Sequence, residues 1–182
     1  MTVVHPTDQV LHRPWGHVTP DFWDRRTTGE SHLTAEAIRS RLAGIATAMD
    51  GQRTAEAVEL AARLDADTVQ EFGEAHLHTV QVREVRGYLA ALTGDHTTGL
   101  GWYLHCARLR ATIQGPDHPD VEQATRRAYS LWRAMPGAVP GLQQLGRELL
   151  TVVTDIHGST APVARHTRDR LQGLTVPVLP SS

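Results

Sequence analysis

Phe72-Gly73-Glu74-Ala75-His76-Leu77-His78-Thr79 and Gln114-Gly115-Pro116-Asp117-His118-Pro119-Asp120-Val121 are one corner of the chain written twice, displaced by 42 residues. In each, a glycine closes one helical stretch and a histidine stands near the start of the next. A fixed period between about 20 and 50 residues marks stacked supersecondary units, none of which can bury its apolar face alone. Such arrays offer extended surfaces, so the repeat points to binding and away from catalysis.

Outward from this corner the pattern is helical in both directions. Thr34 starts a stretch whose stripe Ile38, Leu42, Ile45, Ala46, Met49 follows the helical period, and Asp50-Gly51 ends it. A second helix is expected from about Thr54 to Glu71, with Ala57, Leu60, Ala61 and Leu64 on one face. The next, from about His78, carries Val82, Val85, Leu89 and Leu92 and breaks at Thr93-Gly94-Asp95. From about Thr98 to Gln114 apolar residues occupy two sides, which requires neighbours on both. Val121, Ala124, Ala128, Leu131 and Met135 mark a fifth helix, stopped by Pro136-Gly137. Leu142, Leu145, Leu149, Val152 and Ile156 mark a sixth, stopped by Gly158, and a polar helix from about Ala161 to Gln172 reads as the C-terminal cap an array needs. The chain is therefore all-α with about seven helices, divided into an extension over 1–33, a helical repeat domain over 34–175 and a tail over 176–182.

Composition narrows the function classes. Arginine supplies all 18 basic residues, against 20 acidic ones spread along the chain, for a net charge of -2. That balance gives no electrostatic footprint for nucleic acid. With no lysine, Schiff-base and phosphate-loop chemistry are excluded. The joint absence of lysine and asparagine, whose codons are AT-rich, suits a GC-rich genome such as an actinobacterial one. Cys106, the one cysteine, cannot close an internal disulfide, and no early apolar run behind a basic start resembles a secretion signal; both point to a cytoplasmic protein. No apolar run reaches the roughly 18 residues of a membrane span.

Paired helices at this spacing, with Gly87 and Gly94, then Gly99 and Tyr103, and the phrase Gly115-Pro116-Asp117-His118-Pro119-Asp120, resemble tetratricopeptide repeats. The resemblance is to the 42-residue variety of kinesin light chains and of many actinobacterial regulatory proteins. It covers roughly residues 34 to 158 as three helix pairs and implies a right-handed superhelix of antiparallel pairs. The departures are a 43-residue offset in the first pair, needed to place Gly44 on Gly87, Tyr129 where the second pair has Gly87, and Arg86 at a normally apolar position. No helix-turn-helix domain fits in the short extension, so a stand-alone repeat protein is expected.

Candidate chemistry is sparse. His76, His78 and His118 suggest metal, but corners one repeat apart lie about 10 Å from each other at ordinary helix spacing, too far for one ion. No metal or other cofactor is expected. Cys106 and His105 are adjacent on a helix and so point about 100° apart, which argues against a nucleophile and base and for core packing. Neither a nucleophile elbow nor a glycine-rich phosphate loop is present.

The resemblance implies that the first helix of each pair lines a concave groove, and the residues of those helices outside the core stripe are then the candidates for contact with a partner. In the second pair these are Gln81, Glu84 and Tyr88. The third contributes Gln123, Arg126, Ser130 and Arg133 in the 42-residue register, joined by Arg127 and Trp132 if the register shifts by one; the first contributes Arg41 and Ile45. Arginine forks and rigid aromatic faces suit a peptide or a chain terminus. Arg83 and Arg86 are expected to pair with Glu84 or Glu122. The function expected is a non-enzymatic adaptor or scaffold for a protein or peptide, the alternative a regulatory sensor of a short peptide or small ligand, with a metal-dependent enzyme a distant third. Self-association is left open, since the outer stripe of the sixth helix could serve either the cap or a twofold interface in a homodimer. Trp15, Phe22 and Trp23, beside a short helix near Thr19, are expected either to cap the first helix or to block the groove.

Overall fold

Seven α-helices make up the computed structural model over the residues it describes, 33–175, and no strand occurs among them. They are α1 Ala35–Asp50, α2 Thr54–Phe72, α3 Leu77–Leu92, α4 His96–Gln114, α5 Pro119–Ala134, α6 Leu142–His157 and α7 Pro162–Thr175. The expectations for Trp15, Phe22, Trp23 and the helix near Thr19, and the tail over 176–182, lie outside the described residues.

The period is kept closely. Helices α1, α3 and α5 each have 16 residues and begin at 35, 77 and 119; α2 and α4 each have 19 and begin at 54 and 96. All these spacings are 42, so the 43-residue offset expected for the first pair is corrected. The residue 42 before Gly87 is Ile45, buried at 3% exposure, and not Gly44, which is exposed. Ile45 accordingly belongs to the core and not to a contact surface.

The repeated corner sets the helix ends. Thr34, His76 and His118 stand 42 residues apart as N-caps. The Thr34 hydroxyl accepts from the Ala37 N–H (3.1 Å), His76 Nδ1 from the His78 N–H and His118 Nδ1 from the Asp120 N–H, both at 3.2 Å. The recurring histidine thus does the work of a capping hydroxyl, satisfying a donor the helix cannot. Gly73 and Gly115 end α2 and α4 at φ 84° and 91°, where any Cβ would be strained.

Neighbouring helices run antiparallel, because late residues of one meet early residues of the next. Arg41 on α1 reaches Asp67 near the end of α2, the Thr79 hydroxyl on α3 donates to the Gly73 carbonyl, Gly87 lies against Gly99, and Gln143 on α6 donates to the Leu174 carbonyl. At the α3–α4 contact two glycines face each other. A Cβ on Gly99 would stand 3.0 Å from the Gly87 carbonyl oxygen, so the backbones approach more closely than side chains would allow.

Two apolar clusters form the core. One joins Ile45, Ala48, Ala57, Ala61, Leu64, Val82 and Leu89 across α1, α2 and α3. The other joins Leu100 and Leu104 to Ala128, Trp132, Leu145, Leu149, Val152 and Val153. The period breaks only here: α6 begins at 142, after the connection over 135–141, and has 16 residues where its counterparts have 19. Its stripe, from Leu142 to Val152, is buried within the chain, against α5 on one side and α7 on the other. Of the two uses expected of this stripe, it serves the packing of the cap helix α7 and not a twofold interface. Among the described residues, no helix is long and apolar enough to cross a membrane.

Where α2, α3 and α4 meet, the interior is ionic. Arg83, 2% exposed, donates from Nε to Asp65 (3.0 Å), from Nη2 to Glu74 (3.1 Å) and from Nη1 to Nε2 of His105 (3.0 Å). Arg86 donates to the other Asp65 oxygen and lies over the Trp102 ring at 4.4 Å. These partners replace the Glu84 and Glu122 pairings expected for Arg83 and Arg86. The arrangement explains the departure at Arg86: its charge answers a carboxylate, and its flat guanidinium packs on an aromatic face as an apolar side chain would.

Candidate binding groove

Helices α3 and α5 each follow the corner that the sequence repeats, and their first turns therefore stand side by side in the same orientation. Between their N-terminal halves lies a cavity of about 360 Å³. Leu77, His78, Gln81 and Glu84 line it from α3, Arg110 from α4, and Asp120, Gln123 and Arg127 from α5.

Its charges are largely engaged with one another. Arg110 holds Glu84 in a fork, Nε at 2.7 Å and Nη2 at 2.9 Å, and both side chains are mostly buried. The hydrogen bond that Arg110 donates to Glu84 pushes the Arg110 pKa above its ordinary value. Arg110 Nη1 also donates to Gln114 (3.1 Å) and Asp120 (3.4 Å), and the Gln114 amide donates to Asp120 at 3.0 Å. That amide bond, and then the Arg110 charge, hold the Asp120 carboxyl below its usual range. Arg127 stands 3.8 Å from Glu84 with its side chain about half exposed. What results is a wall of fixed ion pairs flanked by Gln81 and Gln123, whose amides can both donate and accept. Such amides match the alternating N–H and C=O groups of an extended peptide backbone.

Four of the residues chosen from sequence, Gln81, Glu84, Gln123 and Arg127, are thus brought to one cavity. Tyr88 (53% exposed), Ser130 and Arg133 lie further along the same helices, exposed and outside it. Arg126 pairs with Glu122 (2.6 Å) and lines a separate recess of about 240 Å³ with Pro116, Thr125, His157 and Pro162. Arg41 is engaged by Asp67 at 2.6 Å. Trp132 is a correction: it is fully buried, and its indole N–H donates to the Leu142 carbonyl at 2.9 Å. A tryptophan that satisfies its one donor inside the protein is a core residue.

Sequence reading missed Leu77, His78, Arg110 and Asp120. It confined the search to the non-stripe positions of first helices, whereas Arg110 reaches in from a second helix. The signal that could have found it is Arg110 and Asp120 flanking the repeated corner with opposite charge.

Outside the groove, His76 and Cys106 are accounted for by packing. His76 caps α3 and stacks on Phe72 at 4.7 Å, and burial, then the neighbouring His78, hold its pKa below the usual histidine value. Cys106 is fully buried with its thiol toward the Val80 carbonyl (3.6 Å), and burial pushes its pKa well up, opposite to what a nucleophilic thiolate needs. Among the described residues, no three His, Cys, Asp or Glu side chains converge as a metal ligand set. The chain matches no family model, and no curated protein or solved structure matches it either.

Proposed function

We propose that this chain is a tetratricopeptide-like solenoid, a right-handed stack of helix pairs that binds a segment of a protein partner in its concave face and acts as a non-enzymatic cytoplasmic adaptor. The observation that carries the reading is the joint one: helices repeating at 42 residues, and a cavity between two first helices where Gln81, Glu84, Gln123 and Arg127 meet. Tyr88 and Leu92, one turn apart on α3 and each about half exposed, extend the face with apolar contact. An extended peptide gains its affinity there from backbone pairing to the amides and from burying side chains on the aromatic.

The test is capture from the source cell with the tagged chain, beside a variant carrying Gln81→Ala and Gln123→Ala whose helical content matches. A protein retained by the parent and lost by the variant supports the reading. Proteins retained equally by both would place the contact elsewhere.

The cavity volume favours one second reading, a sensor of a short peptide or small ligand, because about 360 Å³ falls within the range of small-molecule sites. A sensor would show ligand-dependent stabilisation of about 2.7 kcal/mol at a hundredfold excess over Kd, with no protein partner required.

A further inference from the structure

Arginine pairing changes along the chain. Each of the ten arginines from Arg39 to Arg127 in the described residues has a carboxylate within 4 Å. The five that follow, from Arg133 to Arg170, pair with no carboxylate among the described residues. Among the described residues Arg147 and Arg168 have neutral partners, Gln144 and the Ser159 carbonyl. In α7 the single acidic residue is Asp169, and in α5 Glu122 is taken by Arg126 while Asp120 is held by Gln114 and Arg110.

Two of these arginines share a setting. Tyr129 of α5 and His166 of α7 have ring centroids 6.2 Å apart, which fixes the register between the two helices. These helices run the same way, so one turn onward from each come Arg133 and Arg170, on adjoining strips of the same face. Arg170 lies over the Trp132 ring at 5.1 Å, and its Nε is buried without a hydrogen-bond partner among the described residues. The stacking holds the guanidinium plane in place before any ligand arrives, which lowers the ordering cost of binding. Arg133, one turn beyond Tyr129 on α5, is exposed. Two cations on adjacent helices with no counter-charge among the described residues repel, and a carboxylate set between them would reverse the sign of that interaction.

We infer that the face formed by α5 and α7 receives an acidic stretch of the bound polypeptide, with Arg133 and Arg170 as the carboxylate contacts and the Tyr129 and His166 rings between them and the start of the two helices. The inference rests on the peptide-binding reading and adds the chemistry and place of the partner. A nucleic acid is the poorer fit. Its phosphates need a continuous basic track, and here the charge of the preceding arginines is already neutralised.

Fluorescence anisotropy on the full chain, with a labelled short peptide of alternating Glu and Ala, tests it against the same peptide carrying Gln for Glu and against an oligothymidylate. The parent should bind the Glu peptide at least about tenfold more tightly than the Gln peptide, with affinity falling as salt rises. Arg133→Gln and Arg170→Gln should each cost about five- to tenfold, and Arg147→Gln, on α6, should cost nothing. Because Arg170 packs on Trp132, Arg133→Gln is the deciding variant if Arg170→Gln unfolds. The inference is overturned by equal affinity for the two peptides, by binding to neither, by tighter binding of the oligothymidylate, or by an Arg133→Gln variant that binds as the parent does. Equal binding of both peptides that Gln81→Ala with Gln123→Ala abolishes would remove the acidic preference and leave the groove reading intact.

Discussion

The junction of α2, α3 and α4 and the junction of α5, α6 and α7 solve the same packing problem with opposite chemistry. At the first, Arg83 sits in the interior and is answered by Asp65, Glu74 and His105. At the second, Trp132 fills the interior and fits because Gly146 has no side chain; a Cβ there would stand 2.3 Å from a carbon of the Trp132 ring. The residue 42 after Arg83 is Thr125, bonded to His157 at 3.0 Å, so even the equivalent position has exchanged a charge for a hydroxyl. One repeat geometry thus accepts either a saturated ion cluster or a close-packed aromatic, provided every partner is present. The two should fail differently. Removing one ion strands the others in a poorly solvating interior, whereas altering the apolar junction costs mainly packing, with the one hydrogen bond of the Trp132 indole at stake.

The largest effect is expected at Arg83. Arg83→Met leaves Asp65 buried with Arg86 and takes from Glu74 its Arg83 partner, and should destabilise the chain by about 3–5 kcal/mol in urea unfolding. Adding Asp65→Leu and Glu74→Met should restore a large part of this, because an apolar cluster of similar volume carries no desolvation cost. A triple variant as unstable as the single one would show that the ions are not what distinguishes this junction. Next, Gly146→Ala should cost about 1–3 kcal/mol by overpacking, and Trp132→Phe introduced with it should cost less than the sum of the two, since both act on one space. Additive losses would mean that Trp132 and Gly146 do not share that space.

Acid is a milder probe and touches both regions. Burial holds the pKa of His76 at the first repeated corner, and of His157 beside Thr125, below the ordinary histidine value. The unfolded chain therefore takes up protons more readily than the folded one. The stabilising contribution is fully present above the unfolded value and declines as pH falls through it, so the melting temperature should drop between about pH 7.5 and about 5. His76→Ser, which preserves a capping acceptor without titrating, should flatten part of that slope; an unchanged slope would exclude His76 as a source. The smallest effect is expected for His118→Ala, about 0.5–1 kcal/mol, since only a cap at a helix end is lost. An equal loss for Thr34→Ala would support treating the caps as equivalent across the repeat.

The helices were legible because each is bounded by a turn or cap visible in sequence, and expected and observed ends differ by about two residues or fewer for most of them. Legibility stopped at the charges. Asp65 falls on the same stripe as Ala57, Ala61 and Leu64, and Arg83 among Val80, Val82 and Gly87, all buried. An apolar period treats such charges as interruptions, although a carboxylate and an arginine on facing stripes are the mark of an internal pair. Trp132 was misplaced for a related reason: a large aromatic near a supposed groove suits binding or core equally, and what decides is Gly146, a glycine on a different helix. The groove residues Gln81, Glu84, Gln123 and Arg127 came from repeat position alone, while Arg110 enters through a contact that no single-helix pattern contains.

Cys106 offers a way to watch one part of this molecule by itself. It is the chain's one cysteine and is enclosed between α3 and α4, with its thiol against the Val80 carbonyl. A thiol reagent can reach it only when those helices part, so the labelling rate under native conditions reports the opening equilibrium of the central repeat. Comparing that rate with global unfolding, in the parent and in the Arg83 and Gly146 variants, would tell whether the array comes apart as a whole or one unit at a time.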